Sequence, residues 1–245
     1  LNVEADHLDF FKDLDDVEHS FRAFADKVPD NGLILANCED ENTMATLRGE
    51  TRPVMTFGVD RGDVHAEGLS MAHGFGYFDV IYKGEKYAHL DLSVPGLHNV
   101  KNAIAAAAAA IALRLPGRAV EEGMRDFRLP GRRFEYKGMY NGAEVCDDYA
   151  HHPGELAALF DTAAALDFKR VICAFQPHTY SRTHELFDDF VKVLQRPAVT
   201  LLAEIFAARE DNDIGISSAD LAAEIPGSVF CPTLEDVTAK LKRLA

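Results

Sequence analysis

The stretch from Arg170 to Leu194, RVICAFQPHTYSRTHELFDDFVKVL, holds the pattern that decides the fold. Its first part, Arg170 to Phe175, is a short and mostly apolar run of the kind that forms a buried strand. Its last part, Arg182 to Leu194, spaces apolar residues as a helix does. The connection between them, QPHTYSR, is filled with polar and aromatic side chains. The pattern therefore predicts a strand, a chemically active loop and a helix.

The same alternation continues on both sides of this stretch. Strands are predicted at 144–146, 170–175, 198–205 and 228–231, and helices at 153–166, 182–194, 218–225 and 234–244. Strands that alternate with helices in this way are typical of βα units with parallel strands. The second half of the chain is therefore predicted to be a Rossmann-like domain with a mainly parallel sheet.

The first half has a different pattern. Residues Asp15 to Val28 show helical spacing, Gly32 to Asn37 form a short apolar run, and Val54 to Val94 alternate as strands and hairpins do. An alanine-rich helix is predicted from Ala103 to Leu115. This half is predicted to be a mixed α/β domain with antiparallel strands.

A domain boundary is predicted at the breaker LPGRRF, which begins at Leu129. The 245 residues exceed the size of a typical single domain, so two domains are expected. We place the first at residues 1–130 and the second at residues 131–245.

Composition excludes several classes of function. A formal net charge of −15 disfavours binding to nucleic acid and to anionic membranes. The 4 cysteines are widely spaced, form no CxxC pair and do not indicate a disulfide framework. The longest apolar run, Ala103 to Leu113, is about half the length of a membrane span. No nucleic-acid partner and no membrane partner are expected, and a cytoplasmic location is predicted.

Three polar clusters follow the predicted strands of the second half. They are DDYAHH from Asp147, QPHTYSR from Gln176 and AARE from Ala207. Each cluster alone also has a simple alternative explanation. DDYAHH could be a turn or helix start with a solvated histidine pair, QPHTYSR could be a helix start, and AARE could hold a surface ion pair. Because open α/β sheets bind ligands at the carboxyl ends of their strands, their shared placement predicts one site.

Two asparagines, Asn99 and Asn102, lie three residues apart beside the alanine-rich helix. At that spacing, side-chain amides and backbone N–H groups can face a ligand together. Tight packing of an alanine helix is the alternative explanation for this segment.

Six strings in this order resemble the Mur ligases: NVEADHLDFF, PGLHNVKNAIAA, GRRFE, DDYAHHP, FQPHTYSRT and AARE. The resemblance covers nearly the whole chain. It implies an ADP-forming ligase of peptidoglycan precursor synthesis that uses ATP and Mg²⁺ and makes an amide through an acyl phosphate. RRFE and FQPHTYSRT favour the branch whose substrates are UDP-N-acetylmuramate, L-alanine and ATP. The tripeptide-recycling branch, which shares the DD-aromatic-AHHP string, remains the alternative.

The resemblance also implies a role for individual residues. His7 would be a ligand of Mg²⁺, and Arg133, His178 and Arg182 would be the catalytic residues. The residues implied to contact the nucleotide are His98, Asn99, Asn102, Arg132, Arg133 and Asp148. Those implied to contact the substrates are Tyr149, His152, His178 and Arg182, of which Arg182 would pair with a substrate carboxylate.

The sequence contains no Gly-Lys dipeptide, so the GxxxxGK[ST] loop that grips ATP phosphates is absent from it. We therefore expect a fragment that lacks the N-terminal domain, the phosphate loop and the extreme C-terminus, and that is inactive alone. A non-catalytic module that binds a nucleotide or peptide is the alternative from a different functional class.

Overall fold

The computed structural model describes residues 1–8 and 10–245. Asp9, which lies inside the string NVEADHLDFF, is outside the described residues. Contacts divide the described chain into two compact units, Leu1–Arg128 and Leu129–Ala245.

The first unit is a sheet with helices packed on it. Its strands are β1 (Ile34–Asn37), β2 (Val54–Phe57), β3 (Val64–Ala72), β4 (Phe75–Tyr82) and β5 (Glu85–Pro95). Its helices are α1 (Leu14–Ala25), α2 (Glu41–Thr46), α3 (Leu97–Ala112) and α4 (Gly117–Asp126). The strands lie in sequential order; β1, β2 and β3 pair in parallel, and β3, β4 and β5 pair antiparallel. The predicted mixed α/β class with antiparallel strands is confirmed.

The alanine-rich helix α3 packs closely against this sheet. Ala103, Ala107 and Ala108 are buried in one cluster with Phe78 and Leu90 of the sheet. The helix begins at Leu97, earlier than the predicted Ala103. A left-handed residue, Gly96 (φ 102°), makes the sharp turn from β5 into the helix.

Helix α1 confirms the predicted helix, but its apolar side is only partly buried. Val17 and Ala25 are buried, whereas Phe21 and Phe24 are exposed. The helix starts with Asp13, whose side chain accepts the N–H of Asp16 as an N-cap. The short helix α2 was not predicted, because six residues are too few for helical periodicity to be detected.

The second unit contains a parallel sheet and a separate hairpin. Its strands are β6 (Glu135–Tyr140), β7 (Ala143–Asp147), β8 (Ile172–Phe175), β9 (Val199–Ala203) and β10 (Val229–Cys231). Its helices are α5 (Pro153–Ala165), α6 (Tyr180–Glu185), α7 (Phe187–Leu194), α8 (Ser218–Glu224) and α9 (Leu234–Leu244). The order β10-β9-β8 is parallel throughout, which confirms the mainly parallel, Rossmann-like class.

Two details of the second unit differ from the prediction. Strand β7 pairs antiparallel with β6 in the hairpin, so its assignment to the parallel sheet is wrong. The strand β6 was overlooked because its residues are polar and interrupted by Gly138. The predicted helix from Arg182 to Leu194 is divided into α6 and α7 at Leu186.

The core of the second unit lies between its sheet and helices. Phe190 of α7 and Leu202 of β9 have no exposed surface, and the ring centroid of Phe190 is 5.7 Å from that of Phe175. Among the described residues, no helix combines the length and apolarity needed to cross a membrane.

The start of α4 tolerates no side chain. A Cβ added at Gly117 would lie 1.9 Å from the carbonyl oxygen of Tyr87, whereas one added at Gly123 of the same helix would meet nothing within 4 Å. We expect Gly117→Ala to destabilise the first unit by about 1–3 kcal/mol, because backbone must move. We expect Gly123→Ala to stabilise it by about 0.5–1 kcal/mol. Hydrogen exchange of the β5 amides would measure both, and equal effects would contradict the prediction.

Candidate functional site

The loops after β8 and β9 lie together at the carboxyl edge of the parallel sheet. His178 and Phe206 form a parallel bridge beyond the strands. The N–H of Thr179 donates to the carbonyl of Phe206 at 2.9 Å, and the N–H of Phe206 donates to the carbonyl of Pro177 at 2.8 Å. These bonds hold two of the predicted polar clusters side by side.

His178 and Arg182 are neighbours within the loop after β8. The Nη1 of Arg182 is 3.3 Å from the Nδ1 of His178. Because a guanidinium can only donate, this contact makes Nδ1 an acceptor and leaves the imidazole proton on Nε2. Thr179, with a left-handed φ of 67°, turns the chain from the loop into α6. The result is a guanidinium beside an imidazole N–H donor, a combination suited to a carboxylate.

A series of ring contacts joins the remaining polar cluster to this pair. The ring centroids of Tyr149 and His151 are 5.3 Å apart, those of His151 and His178 are 6.3 Å apart, and those of His178 and Phe206 are 5.7 Å apart. The rings meet as edges or tilted faces, which are favourable arrangements. The three predicted polar clusters therefore come together, although β7 belongs to the hairpin and not to the parallel sheet.

Arg132 and Arg133 lie beside Tyr149 at the start of the same unit. The Cζ of Arg132 is 4.7 Å from the centroid of the Tyr149 ring, and the Cζ of Arg133 is 5.9 Å from it. The N–H of Tyr149 also donates to the carbonyl of Arg132 at 2.8 Å. The Nη1 of Arg133 is 3.8 Å from a carboxylate oxygen of Glu155. Both guanidinium groups are exposed and are held near the ring by cation–π attraction.

Asp148 and His152 hold the backbone of their loop. One carboxylate oxygen of Asp148 accepts the N–H of Phe134 at 2.7 Å, and the other accepts the N–H of Ala150 at 2.8 Å. His152 is the N-cap of α5, where its Nδ1 accepts the N–H of Gly154 at 3.2 Å. Both side chains therefore stabilise the backbone of the loop. Their predicted contacts with nucleotide and substrate stay predictions.

No individual role was predicted for Glu210, the last residue of AARE. Its carboxylate accepts the N–H of Ser181 at 2.9 Å and the hydroxyl of the same serine. Burial acts to raise the pKa of Glu210, but hydrogen bonds from the hydroxyl and N–H of Ser181 and from the N–H of Tyr180 outweigh it, and the pKa is lowered. The only signal in the sequence was its place in a polar cluster after β9, next to the strand β8 that precedes Ser181.

In the first unit, the predicted nucleotide contacts lie in the first turns of α3. Asn99 is buried, and its Nδ2 donates to the carbonyl of Pro95 at 2.6 Å. Its Oδ1 accepts the Nδ2 of Asn102 at 3.4 Å. His98 and Asn102 are exposed. Asn99 thus fixes the turn into α3 and holds Asn102, which has the better access to a ligand.

His7 is exposed, and its Nε2 is 3.7 Å from a carboxylate oxygen of Asp6. Within residues 1–8 and 10–245, no group of three or more His, Cys, Asp or Glu residues could hold a metal ion. Mg²⁺ commonly takes only one or two protein ligands and completes its shell with phosphates and water. The role of His7 as a Mg²⁺ ligand therefore stays a prediction.

Family models match both halves of the chain. The model of the Mur ligase middle domain matches residues 1–110, and that of the Mur ligase glutamate ligase domain matches residues 132–245. The chain belongs to the Mur ligase family.

Relatives of this Mur ligase chain agree with that assignment. A protein of Clostridium novyi named UDP-N-acetylmuramate–L-alanine ligase is 42% identical over 99% of the chain and 54% of its own length. A solved UDP-N-acetylmuramate-alanine ligase of Thermotoga maritima is 26% identical, with a TM-score of 0.73, over 96% of this chain and 50% of that one. A solved murein peptide ligase of Psychrobacter arcticus is also 26% identical, with a TM-score of 0.68, over 94% of this chain and 49% of that one. The chain spans about half the length of the curated relatives it matches.

Proposed function

We propose that this chain is the second half of an ATP-dependent ligase that joins L-alanine to UDP-N-acetylmuramate. The observation that carries the proposal is the alignment of nearly the whole chain with a clostridial relative named for that reaction. In this proposal residues 1–130 form the later part of the ATPase domain, and residues 131–245 form the C-terminal domain of the ligase. Residues upstream of the match would supply the phosphate loop.

His178 and Arg182 are proposed to bind the carboxylate of L-alanine. Their side-chain nitrogens lie 3.3 Å apart, which supports binding of one anion by both. A guanidinium adds a charge-assisted bond, and the imidazole adds a neutral one. Held in this way, the alanine amine can be oriented toward the carbonyl that it attacks, and positioning of this kind lowers the barrier. Tyr149 and His152 are proposed to line the muramoyl side of the same site.

Nucleotide contacts are proposed for residues of each unit, taken separately. Arg133 and Arg132 would contact its phosphates, where their positive charge would stabilise a phosphoryl group in transfer. Asp148 would approach the nucleotide from the loop after β7, while His98 and Asn102, positioned by Asn99, would contact it from α3. ATP would supply the phosphoryl group that turns the muramoyl carboxylate into a reactive acyl group. His7 is proposed as a ligand of Mg²⁺, which would neutralise phosphate charge.

The proposal is tested with the complete product of the gene that encodes this chain. We expect it to release ADP only when UDP-N-acetylmuramate, L-alanine and Mg·ATP are all present. The 245-residue chain alone is expected to release none, because its sequence holds no phosphate loop.

The same assay separates the alternatives. ADP release that depends on a murein tripeptide instead of L-alanine would assign the chain to the recycling branch. Binding of ATP by calorimetry without ADP release from the complete gene product would indicate a non-catalytic module. Either result would overturn the proposed reaction.

A further inference from the structure

Glu210 links the loop after β9 to the loop that carries His178 and Arg182. Its carboxylate connects the two loops by accepting hydrogen bonds from both the N–H and the hydroxyl of Ser181. Ser181 directly precedes Arg182, so this contact fixes the backbone from which the guanidinium projects. The link joins residues 29 positions apart in sequence, and it adds to the backbone bonds between Thr179 and Phe206.

The loop needs such a link because its backbone is unusual. Thr179 has φ 67° and Ala208 has φ 53°, a left-handed conformation that costs energy for residues with a Cβ. Helix α6, which begins at Tyr180, is only 6 residues long and has no side-chain cap from Thr179. Surrounding contacts must therefore hold the loop, and the bonds that Glu210 accepts from Ser181 are charge-assisted and strong.

We infer that Glu210 is a positioning residue, which touches no substrate but fixes Arg182 and His178 in the geometry that binds the carboxylate of the amino-acid substrate. The inference rests on the proposed function, because it assumes that these two residues bind that carboxylate. Glu210 itself is anionic and would repel a carboxylate, so its contribution comes through Ser181 and the loop.

The chain offers a matched control at the start of α8. Asp220 accepts the N–H of Ser217 at 2.8 Å and the hydroxyl of Ser217 at 3.1 Å, the same pair of bonds that Glu210 makes with Ser181. No residue of the candidate site takes part in this contact. Asp220→Asn therefore removes an equivalent anchor without changing the loop that carries Arg182.

The first measurement is amide hydrogen exchange in the 245-residue chain. We expect Glu210→Gln to speed exchange at Tyr180 and Ser181 by about tenfold or more, since an amide oxygen is a weaker acceptor than a carboxylate. Asp220→Asn should speed exchange only around Ser217. Unchanged exchange at Ser181 in Glu210→Gln would overturn the inference, and this result does not depend on ligase activity.

The second measurement is steady-state kinetics of the complete gene product. We expect Glu210→Ala to raise the KM for L-alanine about tenfold, Glu210→Gln to raise it less, and the KM for ATP to stay within about twofold in both. Asp220→Asn should change neither constant. Faster exchange at Ser181 with an unchanged KM for alanine would overturn the positioning role. If the unaltered gene product shows no alanine-dependent ADP release, the proposed function fails, and the exchange measurement still decides whether Glu210 holds the loop.

Discussion

Replacing Arg182 with alanine in the complete gene product is expected to raise the KM for L-alanine by roughly 10- to 100-fold. A charge-assisted hydrogen bond contributes ~1.5–3 kcal/mol, and each 1.4 kcal/mol is about a tenfold change in affinity. The KM for ATP should change less than about twofold. Steady-state rates measured with alanine and ATP varied separately would give both constants.

Two further variants sharpen this test. His178→Ala should raise the KM for alanine by a smaller factor, because a neutral imidazole contributes a bond without a full charge. Arg243→Ala, which removes an exposed guanidinium from α9, is the control and should leave both constants unchanged. An unchanged alanine KM in Arg182→Ala would show that this loop does not bind the amino acid, even though the family assignment would stand.

The largest loss of stability is expected from Phe190→Ala in the core of the second unit. Phe190 has no exposed surface and packs against Phe175 with ring centroids 5.7 Å apart. Removing a buried phenyl ring loses its transfer free energy and leaves a cavity, which together cost about 3–5 kcal/mol. The free energy of unfolding should fall by that amount.

Hydrogen exchange of the β9 amides measures this stability without interference from the first unit. Leu234→Ala is the control, because Leu234 is 58% exposed and its truncation should change the free energy by less than about 0.5 kcal/mol. Similar losses in the two variants would mean that Phe190 does not form part of the core.

The sequence was sufficient to predict the fold class of both halves. The strands β8, β9 and β10 and the helices between them were predicted because apolar runs and helical spacing report burial directly. The pairing of β7 was predicted wrongly because a short run such as Glu144 to Cys146 does not specify its partner strand. The exposure of Phe21 and Phe24 was also hidden, since periodicity shows which side of a helix is apolar but not what covers it.

The candidate site was only partly predictable. The clustering of polar loops followed from topology, because the carboxyl ends of parallel strands meet at one edge. The use of Asp148 could not be predicted, since its carboxylate accepts the N–H of Phe134, which only folding brings near it. The contact of Glu210 with Ser181 joins residues that no local pattern connects.

The packing of α3 depends on the number of residues in the turn at Gly96. One residue separates the end of β5 at Pro95 from the start of α3 at Leu97. An inserted residue would rotate the helix by about 100° about its axis, because an α-helix has about 3.6 residues per turn. The alanine side would then turn away from the sheet and larger side chains would face it. Length variation is better accommodated in the turn between β4 and β5, where Lys83 and Gly84 are exposed.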